Sequence, residues 1–296
     1  MFWNRITSLP RKRTATIAAS LAIAGTLIPL GMASAHAASA SPSTAAKPTI
    51  VLVHGAWADG SSWDGVASIL QGDGYTVDVA PNPLRGLTYD SDYLSDYLAS
   101  ISGPIVLVGH SYGGAVITDA ATGNANVKAL VYDDAYLPAQ GENITTLSTA
   151  QSALAPAAPP VSNPASVFKL VQFPDPTSPT FAPAQGVADT YLLPSVVADD
   201  LAPDVSHAEQ ALLTATQSPT SLVALGEKLS TEPAWKTIPS WDVIGRQDKI
   251  IPEAAQLMMA HRAGSHITEI NSSHVSLISH PGEVAAVILK AVDATS

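Results

Sequence analysis

Short apolar runs alternate with segments of helical periodicity along most of this chain. The runs at Thr49–Val53, 104–108 and 127–132 carry few polar residues, so they lack the alternation of a half-exposed strand. Strands of this kind are buried on both faces, which is typical of a parallel sheet covered by helices on both sides. The same pattern predicts further strands at 75–80, 240–244 and His266–Ile270, and helices at 61–71, 89–101, 113–121, 252–263 and 281–292.

The alternation stops between about residues 141 and 239. This stretch is rich in Pro, Ala, Ser and Thr, and its predicted helical segments are short, at 166–172, 195–201, 209–216 and 221–229. An insertion of roughly a hundred residues into a compact sheet domain is typical of a lid over a functional site. We therefore predict one α/β domain over residues 48–296, mostly parallel sheet flanked by helices, with an inserted helical cap at about 141–239.

The first forty residues have the order of a secretory signal peptide. A basic start is followed by an apolar run over 17–32 and small residues over 33–40. The run is shorter than the ~20 residues that a helix needs to cross a bilayer, so no stable membrane anchor is expected. We predict a leader at 1–40, a linker at 41–47 and a secreted protein, extracellular or periplasmic. The basic residues are Arg5, Arg11, Lys12 and Arg13, and the candidate cleavage sites follow Ala35, Ala37 and Ala40.

Charge and cysteine content narrow the classes of function. The chain has a formal net charge of −11, and removal of the leader would take it to −15. An acidic surface repels phosphate backbones, so nucleic acid is not expected as a partner. The sequence contains no cysteine, which excludes disulfides, cysteine nucleophiles and cysteine-based zinc sites.

A glycine-rich turn joins the apolar run at 104–108 to the helical segment at 113–121. It reads Gly109-His110-Ser111-Tyr112-Gly113. A chain that passes from strand to helix within two residues is strained at its central residue, and the glycines keep Cβ atoms out of the crowded turn. The hydroxyl of Ser111 would then stand above the sheet edge, at the positive end of the helix. We predict that Ser111 is a nucleophile.

A serine hydroxyl needs a base to become a nucleophile, and the chain has eight histidines. His274 follows the last predicted strand in a polar loop, at the sheet edge where ligands bind in α/β folds. His280 precedes Pro281 and the final helix, where a helix-entry role is the simpler interpretation, although it stays an alternative. We assign scaffolding roles to His54 and His110. Loop position therefore favours His274 as the base.

A carboxylate is needed to orient the histidine and to stabilise its charged form. Asp248 follows the predicted strand at 240–244, which gives the chain order Ser, Asp, His that this architecture uses. Asp133 and Asp134 are rivals, because they end the strand that follows the serine helix. Asp242 lies within a predicted strand and has no assigned role.

Backbone N–H groups are needed to bind the oxygen that becomes negative during acyl transfer. One donor should be Tyr112, directly after the nucleophile. The second should come from the loop after the first strand, where the turn at Gly55 allows close approach of the backbone. We assign it to Ala56.

Four motifs resemble the α/β-hydrolase superfamily. The branch that they most resemble contains small bacterial esterases, of the salicylate-ester and pyrethroid-ester hydrolase kind, together with hydroxynitrile lyases. The resemblance implies cofactor-free and metal-free hydrolysis of carboxylic esters, with Ser111, Asp248 and His274 at the triad positions and a helical cap above the serine. The motifs are VLVHGAWADGSSW at 51–63, GHSYGG at 109–114, GRQD at 245–248 and SH at 273–274.

The apolar content of the cap has packing of the cap itself as its default interpretation, and the alternative is a pocket for a small ester substrate with apolar or aromatic groups. The residues concerned are Phe168, Phe173, Phe181, Tyr191, Leu192 and Leu193.

Two positions depart from the lyase pattern of this branch. The lyases carry a threonine after the first-strand histidine and a lysine after the catalytic histidine, whereas this chain has Gly55 and Val275. Ser111 likewise differs from the aspartate nucleophile of haloalkane dehalogenases and epoxide hydrolases. Ester hydrolysis is the favoured interpretation. The alternatives are a lyase or cofactor-free perhydrolase on the same scaffold, or a ligand-sensing protein that retains the triad.

Overall fold

The computed structural model describes residues 47–148, 151–157, 163–172 and 188–295. Its centre is a six-stranded sheet in the order β2-β1-β3-β4-β8-β9, and every neighbouring pair is parallel. The fold class predicted from the apolar runs is confirmed. The strands are β1 Thr49–Val53, β2 Thr76–Ala80, β3 Ile105–His110, β4 Val127–Asp133, β8 Ser240–Gly245 and β9 His266–Ile270.

Helices cover both faces of this sheet, and successive residues of each central strand belong to opposite apolar layers. Ile105 and Leu107 of β3 pack in one layer, whereas Val106 and Val108 pack in the other. The first layer contains apolar residues of α2 Leu87–Ala99, α3 Tyr112–Ala120 and α8 Glu253–Ala263. The second contains those of α1 Asp64–Gly72, α9 Ser276–Ser279 and α10 Pro281–Thr295. Burial on both sides is why these strands carry no polar alternation.

The chain between β4 and β8 forms elements of its own. Three of them pair as a small antiparallel sheet, β5 Phe168–Val171, β6 Asp189–Leu192 and β7 Thr220–Ser221. The helical elements are α4 Ile144–Leu147, α5 Pro194–Val196 with the π-helix Val197–Leu201, α6 His207–Ala215 and α7 Leu222–Gly226.

The helix predicted at 166–172 is therefore wrong, and the inserted cap contains this small sheet as well as helices. Phe168, Lys169, Leu170 and Val171 instead pair with β6, and only Phe168 of these four is buried. Four residues are too few to show a clear period, so the partner strand decides their conformation.

Some predictions fall outside the described residues. These are the leader at 1–40, the linker at 41–47 apart from Lys47, and the cap residues Phe173 and Phe181. Within the ranges that the structure describes, no helix combines the length and apolar character needed to span a membrane.

Candidate active site

Ser111 stands at the junction of β3 and α3, and its backbone is strained. Its φ of 53° and ψ of −122° lie outside the regions that a residue with a side chain adopts without cost. The surrounding backbone holds it there, because the Ser111 N–H donates to the Asp133 carbonyl at 3.1 Å and the Ser111 carbonyl accepts from Gly114 and Tyr136. The turn predicted from the glycine pattern thus directs a nearly buried hydroxyl toward the carboxyl edge of the sheet.

Glycine is required within this turn and in the loop after β1 that lies against it. A Cβ on Gly109 would lie 2.6 Å from the Gly113 carbonyl oxygen, and one on Gly55 would lie 2.7 Å from the Cβ of Ser111. Neither contact has room to relax, because the first is with backbone and the second is with the stem of the nucleophile. The absence of these Cβ atoms lets the loop after β1 lie directly against Ser111.

His274 connects Ser111 to Asp248. Its Nε2 lies 2.8 Å from Ser111 Oγ, and its Nδ1 lies 2.7 Å from Asp248 Oδ2. A carboxylate only accepts hydrogen bonds, so the Nδ1 proton donates to Asp248 and Nε2 is left to accept from the serine hydroxyl. The structure therefore brings together all three side chains that the sequence singled out. His274 lies 26 residues after Asp248 and 163 residues after Ser111 in the chain.

The rival histidine is outside this arrangement. His280 Nδ1 bonds Ser279 Oγ at 2.8 Å, at the entry to α10. His110 Nε2 donates to the His274 carbonyl at 2.8 Å, and His54 Nδ1 donates to the Gly55 carbonyl at 3.0 Å. The His110 bond connects the serine turn to the loop of His274, in keeping with its predicted scaffolding role, whereas the His54 bond is local to the loop after β1.

The Asp248 carboxylate is held by more than the histidine. Oδ1 accepts from the backbone N–H groups of Ile250 and Ile251, at 2.7 and 2.9 Å. Oδ2 accepts from Gln256 Nε2 at 2.8 Å as well as from His274. Gln256 is fully buried on α8. Sequence reasoning missed it, since an inward-facing glutamine is a weak signal until its partner is known.

Asp133 and Asp134, the rival acids, lie behind the histidine loop. Asp133 Oδ1 accepts from Ser276 Oγ at 2.6 Å. Asp134 Oδ1 accepts from the Gly245 N–H at 2.6 Å, and its Oδ2 accepts from the Ser276 N–H at 3.3 Å. Asp134 therefore ties the loop that carries Asp248 to the loop that carries His274, without a hydrogen bond to the imidazole.

The buried charges around His274 set its proton affinity. Burial opposes the charged imidazole, but the Asp248 carboxylate, its hydrogen bond and the charge of Asp134 together raise the pKa of His274. Burial, followed by the neighbouring charge of Asp248, raises the pKa of Asp134 to about 7. The base is thus more basic than an isolated histidine, and a second titrating group lies close behind it.

The two predicted oxyanion donors flank the nucleophile. Tyr112 is the first residue of α3, so its N–H belongs to the helix start and has no intrahelical acceptor. The Tyr112 hydroxyl donates to Asp90 Oδ2 at 2.8 Å, which fixes the ring against α2. Ala56 lies in the buried loop one residue beyond Gly55. The position of Gly55 against Ser111 brings this loop, as well as the start of α3, next to the nucleophile.

Two hollows border the loop that carries Ala56. The smaller, of about 30 Å³, is lined by Ala56, His110, Gln217 and Val275 among others. The larger, of about 310 Å³, extends over Trp57 and Leu213 and is edged by Asp59, Asp64 and Glu209. Over the part of the chain that the structure describes, no group of three or more His, Asp or Glu side chains is arranged to hold a metal ion.

A family model described as the alpha/beta hydrolase family matches residues 50–287. This chain belongs to the alpha/beta hydrolase family. The superfamily resemblance drawn from the four motifs is thereby confirmed.

Two curated proteins and a solved structure are similar to this alpha/beta hydrolase. The carbendazim hydrolyzing esterase of Nocardioides sp. is 34% identical over 110 residues, which cover 33% of this chain and 46% of that protein. The pyrethroid hydrolase of Sphingobium wenxiniae is 35% identical over 105 residues, covering 31% and 37%. Each alignment thus spans less than half of the curated relative.

The crystal structure of a pyrethroid hydrolase from Sphingobium faniae JZ-2 superposes with a TM-score of 0.64 at 21% identity. It covers 83% of this chain and 98% of that one. At this level of identity the likeness concerns the fold.

Proposed function

We propose that this alpha/beta hydrolase cleaves carboxylic esters through an acyl-enzyme formed on Ser111. The observation that carries the proposal is the continuous chain of hydrogen bonds from Ser111 Oγ through His274 to Asp248, at 2.8 and 2.7 Å. A hydroxyl, a base and an orienting carboxylate in this order form the arrangement that serine-based acyl transfer requires.

The reaction proceeds in two halves. His274 Nε2 takes the hydroxyl proton as Ser111 Oγ attacks the ester carbonyl carbon, and the N–H groups of Ala56 and Tyr112 bind the resulting oxyanion. Collapse of this intermediate breaks the bond to the alkoxy oxygen, and His274 returns the proton to the departing alcohol. A water molecule then gives a proton to His274 and attacks the acyl-enzyme. Collapse of the second intermediate frees the acid and returns the proton to Ser111.

The names of the curated relatives support this substrate class. Both are named as hydrolytic enzymes, and one of them as an esterase. We infer a small ester as substrate. Acidic residues outnumber basic ones in the chain, 25 to 14, and this negative charge favours neutral over anionic esters.

The space around Gly55 supports hydrolysis over cyanohydrin cleavage. The related lyases carry a threonine at this position, but here a Cβ would meet Ser111 Cβ at 2.7 Å and His110 Nδ1 at 2.9 Å. A threonine therefore does not fit beside the nucleophile unless the loop after β1 moves away.

A fluorophosphonate probe combined with aryl-ester turnover tests the proposal. The wild-type protein should become covalently labelled at Ser111 and should hydrolyse p-nitrophenyl esters, whereas Ser111→Ala should do neither. Ser91→Ala, which removes another buried hydroxyl, on α2, is the matched control and should behave like the wild type. Equal labelling of wild type and Ser111→Ala, or an unlabelled and inactive wild type, would overturn the assignment.

A further inference from the structure

Trp57 adopts a backbone conformation that a bulky residue avoids. It follows Ala56 in the loop after β1, and its φ is 58°. This left-handed region suits glycine and, less often, asparagine or aspartate, because a Cβ there crowds the neighbouring carbonyl. Something outside the loop must therefore hold Trp57 in place.

The small antiparallel sheet provides that hold through two threonines. Thr220 Oγ1 of β7 accepts from the Trp57 backbone N–H at 2.9 Å, and Thr190 Oγ1 of β6 accepts from the indole Nε1–H at 2.9 Å. Thr190 Oγ1 in turn donates to the Thr220 carbonyl at 2.7 Å. Both threonines are fully buried, and the Phe168 ring of β5 lies 5.3 Å from the Trp57 ring.

The same sheet is anchored to a second strained residue of the main fold. Leu84, in the loop after β2, has a φ of 59°, and its carbonyl accepts from the Ser221 N–H at 2.9 Å. The next residue, Arg85, donates to Asp189 Oδ1 at 2.7 Å and to the Pro219 carbonyl at 2.5 Å. Asp189 and Pro219, the residues directly before Thr190 and Thr220, are thus held by Arg85. The two threonine hydroxyls that contact Trp57 are therefore fixed in position.

We infer that Thr220 and Thr190 are positioning residues for the oxyanion hole. By holding Trp57 in its left-handed conformation, the small sheet sets the direction of the N–H of the preceding residue, Ala56. The inference rests on the proposed function, because it assigns a role in binding the oxyanion. It gives the paired strands β6 and β7 a role in positioning the oxyanion hole.

The physical reason is the coupling of successive peptide planes. Loss of the Thr220 hydroxyl leaves a buried N–H without its acceptor and removes the restraint on a strained φ, so both effects favour rotation of the backbone at Trp57. The peptide planes on either side of Ala56 must follow, because the loop is closed at its other end by β1. An oxyanion donor that turns away stabilises the transition state less while leaving substrate binding nearly unchanged.

Thr220→Val tests this role, since valine keeps the shape of threonine and removes the hydroxyl. We expect kcat for an aryl ester to fall about tenfold to a hundredfold, below the full loss of an oxyanion donor, with KM within about twofold. The inhibition constant of an aryl trifluoromethyl ketone, whose adduct on Ser111 carries an oxyanion, should rise in parallel. Thr220→Ser keeps the hydroxyl and should stay within about threefold of wild type in both measurements.

Thr214→Val is the matched control, because it removes a hydroxyl on α6 that bonds only the Gln210 carbonyl of its own helix. It should leave kcat and the inhibition constant unchanged. An active wild type with an unaltered Thr220→Val, or a loss that Thr220→Ser does not rescue, overturns the inference and leaves the proposed function standing. An inactive, unlabelled wild type overturns both.

If Thr220→Val does not fold, Thr190→Val and Trp57→Phe each remove one end of the indole hydrogen bond. Matching losses of kcat and of ketone affinity in these two variants, no larger when combined, support the inference. Wild-type values in both variants overturn it.

Discussion

The carboxyl groups near His274 differ in what they touch, and this difference assigns their roles. Asp248 bonds the imidazole directly, whereas Asp134 bonds backbone N–H groups on the two flanking loops. Position in the sequence left them as rivals, since each follows a strand that ends at the same edge of the sheet. The hydrogen bond to His274 Nδ1 identifies Asp248 as the acid that orients the imidazole, whereas Asp134 holds the two loops in place.

Substitution of the two acids should therefore have unequal effects on rate. Asp248→Asn places an amide against Nδ1 and favours the wrong tautomer, so kcat for an aryl ester should fall by about 10³ to 10⁴. Asp134→Asn retains an acceptor for the Gly245 N–H and should cost about tenfold or less. Steady-state kinetics on both variants checks this, and a larger loss in Asp134→Asn would transfer the role of triad acid to Asp134.

The pH dependence of activity also follows from these contacts. The groups that face His274 are Asp248, Asp134 and His110, and the two carboxylates raise the pKa of His274 despite its burial. Because the base acts in its neutral form, activity should fall as the pH drops through this raised pKa, above the ordinary histidine value of about 6.5. With its pKa of about 7, Asp134 is only partly ionised over this range, so Asp134→Asn removes a partial negative charge and should move the acid limb modestly to lower pH. Profiles of kcat/KM against pH measure it, and an unmoved limb would contradict the role given to Asp134.

The backbone conformation of a short element is often decided by the elements packed against it. The turn from β3 to α3 is strained at Ser111. It can form because its glycines have no Cβ, and a Cβ at these positions would overlap neighbouring backbone atoms. The strand Phe168–Val171 shows the opposite case, in which four residues of weak preference take the conformation of the strand beside them.

Gly109→Ala tests the turn at this scale. Its Cβ would lie 2.6 Å from the Gly113 carbonyl oxygen, so we expect the free energy of unfolding to fall by about 1–3 kcal/mol, together with a loss of esterase activity. Gly72→Ala is the control, because a Cβ there meets nothing within 4 Å. Urea denaturation of both variants gives the comparison, and equal stabilities would show that the turn has room to relax.

At the scale of the whole molecule, the buried acidic residues link stability to pH. Asp242 had no assigned role from its sequence position, and the structure places it fully inside the fold on β8. Burial, together with the charges of Asp134 and Asp133, raises the pKa of Asp242 well above its ordinary value. The folded protein therefore keeps a proton on Asp242 that the unfolded chain releases above about pH 4.

Stability should consequently decline as the pH rises from about 4 toward the folded-state pKa of Asp242, by up to about 1.4 kcal/mol per pH unit from this one group. Asp242→Asn cannot release a proton, so its free energy of unfolding should decline less steeply over the same range. Urea denaturation at a series of pH values from 5 to 8 provides the measurement. Parallel curves for the two proteins would show that Asp242 is ionised in the fold.

Much of this protein followed from the sequence alone. The unbroken apolar runs of β1 and β3 are buried on both faces, and runs of this kind alternating with helical periodicity predicted the parallel sheet and most of its helices. Glycine spacing predicted the strained turn at Ser111. Chain order and loop position selected Asp248 and His274 because parallel strands all end at one edge. The leader at 1–40 and export stay predictions.

Tertiary structure decided what depends on contacts between distant segments. Gln256 lies eight residues from Asp248, but only the packing of α8 aims its amide at the carboxylate. Trp57 and Thr220 are 163 residues apart, and no local pattern marks either as a partner of the other. A period in the sequence reports which face of an element is buried, whereas a hydrogen bond across the fold depends on where two elements meet. The surroundings of Ser111 therefore became known only once the chain was folded.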